Sequence, residues 1–361
     1  MRDEDSVAME RERTNDCGPI LQVQDLKAYF PLEEGTVKAV DGADFAIPND
    51  ETVCIVGESG CGKSVTAHSI LQVIDPPGRI VGGRILFRRR PREAGGAGEV
   101  VDLAALRPKS REMRHIRGND IAMIFQEPMT ALSPVHTIGN QIVEAMLLHL
   151  PIGQDEARER TIALLRRVGI PEPETRVDAY TFQLSGGMRQ RAMIAMALAC
   201  TPSLLIADEP TTALDVTTQA RILELVRELQ ADYGMAVMYI THDLGVVAEI
   251  ADGVVIMYLG QTVEQGDVRA IFHDPKHPYT KALLRSIPKL GVKARDRLAP
   301  IEGMVPHPYN RPRGCLFGPR CTERDPAICG AEEFPPLVTL ADGHRVRCWK
   351  YMPEAVETGG N

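Results

Sequence analysis

The chain has 361 residues, 44% of them apolar and 25% charged, and a formal net charge of −8. This is the composition of a globular protein with room for one large domain and a smaller one, and the acidic balance argues against a general nucleic-acid binder. No apolar run has the length of a membrane-crossing helix, and the charged opening Met1-Arg2-Asp3-Glu4-Asp5 lacks a signal-peptide core. The expectation is a cytoplasmic chain that reaches a membrane only through partners.

Residues 1–18 are polar and charged and are expected to be disordered. Leu21–Leu26 alternates like a strand, and residues 36–40 and 43–47 read as two more strands around Asp41-Gly42. Pro48-Asn49-Asp50 is a turn. Thr52–Val56 reads as a buried strand, with a helix from Lys63 onward. Residues 88–99 are rich in Gly and Arg and read as a surface loop with a solvated basic face. Ile121–Phe125 is another buried strand, ending at Gln126, and residues 128–195 are helical with proline-rich joints. Leu204–Ala207, Ala236–Ile240 and Val254–Leu259 are further buried strands. Strand and helix patterns alternate, which predicts an α/β fold around a parallel sheet. Past residue 275 proline becomes frequent, and a cysteine-containing tail begins near Gly314. Cys54 and Cys200 read as small core residues, and Cys61 as a partly exposed thiol.

Three stretches carry chemistry. Gly57-Glu58-Ser59-Gly60-Cys61-Gly62-Lys63-Ser64 matches the phosphate-loop pattern at every fixed position and sits between a strand and a helix, as the pattern requires. Its backbone N–H groups suit phosphate oxygens, Lys63 adds a compact cation, and Ser64 offers a hydroxyl to Mg²⁺. Leu204-Leu205-Ile206-Ala207-Asp208-Glu209 delivers two carboxylates at the C-terminal end of a buried strand, where ligands sit in open α/β sheets. Asp208 suits Mg²⁺ and Glu209 suits polarising an attacking water. Leu184-Ser185-Gly186-Gly187-Met188-Arg189-Gln190-Arg191 opens a helix on a Ser-Gly-Gly turn, a second anion cradle. One nucleotide does not need two cradles on one small domain, so the second is expected to serve the nucleotide of a partner chain.

These residues, in this order, resemble the ABC transporter nucleotide-binding subunits, and the resemblance runs over roughly residues 20–270. It implies a P-loop NTPase core of mainly parallel sheet with an antiparallel β subdomain and a helical subdomain at about 127–195. It implies ATP bound by Gly57, Ser59, Gly60, Cys61, Gly62, Lys63, Ser64 and Val65, with Phe30 stacked on adenine in preference to Tyr29. Gln126 takes the place of the Q-loop glutamine and His242 that of the switch histidine, so Glu209, His242 and Gln126 form the implied catalytic set. Ser64, Gln126 and Asp208 are the implied Mg²⁺ residues. Ser185, Gly186, Gly187 and Gln190, with Asp215 in the D-loop stretch Ala213-Leu214-Asp215, are implied to act across a dimer of cassettes.

Three more stretches resemble the oligopeptide/dipeptide importer ATPases: Phe125–Leu132, His277–Leu284 and Gly314–Cys321. Ser133 stands where that family usually has Asn, and the 88–99 loop is longer. The implied organisation is an ATPase domain at 19–272 and a C-terminal extension at 273–361. The implied partners are a second, paralogous ATPase subunit, two transmembrane permease subunits and an extracytoplasmic substrate-binding protein, with the chain peripheral on the cytoplasmic face of the inner membrane. Cys315, Cys321, Cys329 and Cys348 have gaps of 5, 7 and 18 residues, wider than the two to four usual in structural zinc sites. The resemblance implies a [4Fe–4S] cluster there; zinc or no metal are the alternatives. His344 reads as a surface residue. The alternatives to peptide import are import of a nickel complex or a sugar, or a soluble ABC switch ATPase.

Overall fold

A computed structural model describes residues 18–90, 98–126, 131–211, 215–286, 301–330 and 332–352. The N-terminal tail, the middle of the 88–99 loop, Glu127–Thr130 and Ala213-Leu214 lie outside them. The elements in chain order are β1 (Leu21–Leu32), β2 (Gly35–Ile47), β3 (Thr52–Val56), α1 (Lys63–Ile70) and β4 (Arg79–Arg88). Then come β5 (Val100–Asp102), α2 (Arg111–Asn119), β6 (Ile121–Ile124), α3 (Ile138–His149), α4 (Gln154–Arg167), α5 (Pro173–Arg176) and α6 (Gly186–Leu198). They are followed by β7 (Leu204–Asp208), α7 (Val216–Tyr233), β8 (Ala236–Thr241), α8 (Leu244–Ile250), β9 (Gly253–Tyr258) and β10 (Gln261–Asp267). Last are α9 (Val268–His273), α10 (Pro278–Arg285), β11 (Val338–Thr339) and β12 (Arg345–Val346). The predicted pair of strands around Asp41-Gly42 is one strand: Gly42 takes a φ of +113°, which bends β2 without ending it.

The chain divides into two compact units. The first holds residues 86–240 with 1–21 and 46–52. Its β6, β7 and β8 run parallel, with Ile121 opposite Leu204 and Leu204 opposite Ala236. Their side chains are buried along the whole length, which is why they read as unbroken apolar runs and not as alternations. The helices of this unit carry their own punctuation. Ser110, Thr137 and Ser185 cap α2, α3 and α6 by accepting a backbone N–H three residues on. In α4, Asp155 and Glu156 lie in the first turn and Arg166 and Arg167 in the last, matching the helix dipole at both ends. The helix α3 packs on α4 and α6, burying Ile138, Ile142 and Met146.

The second unit holds residues 22–45, 53–85 and 241–361. In it β3 runs parallel to β9, with Val53 opposite Gly253. The sheet continues antiparallel from β9 to β10, β12 and β11. The C-terminal strands are thus built onto β10, with Val346 opposite Glu264. A further sheet places β1 between β2 and β4. Cys54 is fully buried, as read from the sequence.

Candidate functional site

In the second unit the phosphate loop follows β3, whose five residues are all buried, and feeds α1. Its glycines are required by the fold. Gly60 and Gly62 have φ of +76° and +99°, and a Cβ at Gly57 would lie 2.3 Å from the Met257 carbonyl. Lys63 is 5% exposed, and its Nζ donates to the Gly57 and Glu58 carbonyls at 2.8 and 3.2 Å. The ammonium is therefore held inside the loop that would receive phosphates. Cys61 differs from expectation. It is buried because Gly57 packs directly against it, and burial raises its thiol pKa.

Two contacts on this loop come from far along the chain. The Glu58 carboxylate receives both arms of the Arg320 guanidinium at 2.7 and 3.1 Å, and the Glu58 N–H donates to the Tyr279 hydroxyl at 3.0 Å. Phe30 is half-buried in β1 with its ring against Gly78. The neighbouring Tyr29 donates its hydroxyl to Asp41, which leaves Phe30 as the less engaged aromatic. His242 is exposed just after β8. The following Asp243 caps α8 by accepting from Gly245 and Val246.

In the first unit β7 ends in Asp208, 3% exposed, and Glu209, half-buried. Glu209 has a φ of +45°, a left-handed conformation that costs a non-glycine residue about 1–2 kcal/mol. Its N–H is held by the Ile240 carbonyl at 2.9 Å, and its carboxylate accepts from the Gln126 amide at 3.3 Å. The structure thus brings together Gln126 and Glu209, 83 residues apart.

The Ser-Gly-Gly turn does open a helix. Ser185 caps α6, accepting from Met188 N–H at 3.3 Å. Among the described residues, nothing lies within 4 Å of a Cβ built on Gly186, and Gly187 has only Thr218 at 3.6 Å. Neither glycine has a positive φ, so no contact or backbone conformation among the described residues requires either. Gln190 faces inward instead. It is 2% exposed and donates to the Pro210 carbonyl, tying α6 to the segment after Glu209. Asp215 caps α7, accepting from the Thr218 N–H and hydroxyl at 3.0 and 2.8 Å; these bonds lower its pKa.

Cys315, Cys321, Cys329 and Cys348 line one small cavity of the second unit, with His277, Phe317 and Lys350. Burial, and then the neighbouring cysteines, push up the thiol pKa of Cys348 to about 11 and raise Cys315 and Cys321. Among the described residues no group of three or more His, Cys, Asp or Glu side chains is set to hold a metal ion. A single zinc demands four sulfurs at about 2.3 Å from one centre. A multi-iron cluster spreads its thiolates over several irons; these four cysteines share one cavity without forming a metal-binding group. His344 corrects the sequence reading. It is 2% exposed and its Nε2 bonds Glu264 at 2.7 Å, because β12 folds back along β10.

A family model described as ABC transporter matches residues 40–212, and one described as oligopeptide/dipeptide transporter, C-terminal region, matches residues 263–329. A putative peptide import ATP-binding protein of Brucella ovis is 49% identical over 340 residues, 92% of this chain and 98% of that protein. The chain belongs to the ABC transporter ATP-binding proteins of the oligopeptide/dipeptide type. The dipeptide transport ATP-binding protein DppD of Escherichia coli is 49% identical, covering 93% of this ABC protein and 98% of its own length. Among solved structures, the dimeric MJ0796 cassette superimposes with a TM-score of 0.58 at 25% identity, over 69% of this chain and 99% of that one. The cbiO1 protein of Clostridium perfringens gives 0.55 at 28%, over 71% and 91%. The ATPase core is thus the α/β ABC fold. No helix among the described residues is long and apolar enough to cross a membrane.

Proposed function

We propose that this chain is the ATP-hydrolysing subunit that powers import of di- or oligopeptides through a membrane ABC transporter. The observation that carries the cassette mechanism is the turn at Gly186-Gly187: two glycines that no contact among the described residues requires, at the positively polarised end of a 13-residue helix. Open backbone there suits a triphosphate supplied by a second ATPase subunit. The peptide substrate rests on the relatives named for peptide and dipeptide transport.

The residues divide the work. The phosphate loop with Lys63 binds the β- and γ-phosphates, and Phe30 takes the adenine face. Ser64, Asp208 and Gln126 suit Mg²⁺, which when bound neutralises charge developing between the β- and γ-phosphates. Glu209 accepts the proton of the attacking water, and the Gln126 amide orients its carboxylate for that role. His242, exposed after β8, takes the role of sensing the γ-phosphate. Ser185, Gly186 and Gly187 grip the partner's nucleotide, while Gln190 holds the helix that presents them and Asp215 holds the start of α7. Closure around ATP needs differential affinity between closed and open states, supplied by a nucleotide touching both subunits only when they close.

The other components follow from this reading. They are a paralogous second ATPase, two permease subunits and an extracytoplasmic binding protein, with the chain peripheral at the cytoplasmic face of the membrane. A [4Fe–4S] cluster would be held by Cys315, Cys321, Cys329 and Cys348, and would cross-link the C-terminal extension. The test of the ATPase reading is Glu209→Gln. ATP binding persists, turnover falls about 10²–10⁴-fold, and the variant accumulates as a nucleotide-loaded dimer on size exclusion. Wild-type turnover in that variant refutes the assignment of Glu209.

A further inference from the structure

We propose that the C-terminal extension holds the phosphate loop in its nucleotide-binding shape through Glu58, with Arg320 and Tyr279 as positioning residues, and that the state of the cysteine cavity thereby sets nucleotide affinity. The inference rests on the ATPase reading and adds a control to its nucleotide site.

The argument begins with a charge problem. Glu58 is the second residue of a loop built to receive an anion, and an unpaired carboxylate there would repel phosphate. Arg320 supplies the compensating charge. Its side chain is 4% exposed, and it is held from several sides: it donates to the Glu302 carbonyl at 3.2 Å and the Tyr258 hydroxyl at 3.4 Å, and lies over the Phe317 ring at 6.0 Å. A planar fork so constrained fixes the carboxylate in direction as well as charge. Tyr279, fully buried, accepts the Glu58 N–H and so fixes the peptide plane at the start of the loop.

Both anchors step directly off the cysteine cavity. Arg320 stands between Gly318 and Cys321, and Tyr279 follows His277 and Pro278; all four of these neighbours line the cavity. Phe317 lines it as well and packs on Tyr258 and Tyr279 with ring centroids 5.4 and 5.3 Å away. Anything that draws the four thiols together or lets them part therefore moves the turn carrying Arg320. A group cross-linking Cys321 to Cys348 would stiffen that turn and favour the phosphate-ready loop.

The experiment titrates Mg·ATP into the full chain by calorimetry, with steady-state hydrolysis alongside. Arg320→Ala raises Kd and KM at least tenfold and leaves kcat within about twofold. Arg320→Lys restores part of the affinity, because it returns the charge without the fork. Tyr279→Phe, which deletes one hydroxyl and keeps the ring, raises Kd about threefold and decides the matter if Arg320→Ala does not fold. Cys329→Ser, in the cavity lining, raises Kd in the same direction. Wild-type affinity in both Arg320→Ala and Tyr279→Phe overturns the positioning roles, and wild-type affinity in Cys329→Ser overturns the link to the cavity. A wild-type chain that binds no Mg·ATP at all would instead fail the ATPase reading.

Discussion

Replacing Glu264 by Gln tests how the second unit is braced. Glu264 is fully buried. One of its oxygens accepts from the Lys276 N–H at 2.6 Å and from His344 Nε2 at 2.7 Å, and the other accepts from the His277 N–H at 2.9 Å. The carboxylate therefore satisfies the chain just before α10, the helix that brings Tyr279 to Glu58. Glutamine has the same size but one oxygen fewer. If its oxygen replaces the first, its amide nitrogen faces the His277 N–H; if it replaces the second, the nitrogen faces the Lys276 N–H. Either way one buried backbone donor is left against another donor, at about 1–3 kcal/mol. The surviving bonds lose their charge assistance, roughly 1 kcal/mol each, partly offset by no longer burying a charge. A net loss of about 3 kcal/mol corresponds to a fall in Tm of about 6–12 °C for a body of 150–250 residues. Scanning calorimetry at neutral pH measures it. A Tm within 2 °C of wild type would refute the view that this carboxylate braces α10.

Lys63→Ala removes a buried ammonium that bonds two loop carbonyls; nucleotide Kd rises about 10–100-fold, as expected for losing charge-assisted bonds of roughly 1.5–3 kcal/mol, read by equilibrium binding. The chain purified without oxygen carries iron and acid-labile sulfide in equal amounts, and Cys329→Ser loses both; colourless, iron-free protein would discard the cluster. His149 has its pKa lowered, first by burial and then by its neighbour His115. Between that lowered value and the ordinary one of about 6.5 the unfolded chain binds more protons than the folded one, so stability falls as pH drops through this window. His149→Leu flattens that fall in Tm measured between pH 7.5 and 5.5, and an unchanged slope would assign it to other groups.

The phosphate loop between β3 and α1 was legible because its geometry is local. A phosphate loop needs glycines, lysine and serine at set offsets between a strand and a helix, and those offsets survive in one dimension. The buried parallel strands were legible for a similar reason: unbroken apolar runs ending in Gln126 or Asp208-Glu209 announce strand ends. Cys61 was misjudged because its burial depends on Gly57 packing against it. The reading of β2 as two strands failed because Gly42 bends a strand as readily as it ends one. His344 was misjudged because its partner lies 80 residues away. Gln190, four residues on from Gly186, bonds the Pro210 carbonyl, a partner no sequence spacing announces.

The sequence by itself determined the phosphate-loop and strand-end carboxylate patterns, since short-range geometry dictates them. Only the tertiary structure decided what supports them. Arg320 meets Glu58 across 262 residues, Gln126 meets Glu209 across 83, and four cysteines with irregular gaps reach one cavity. Such pairings obey no backbone period, because chain closure brings distant residues together whatever lies between them.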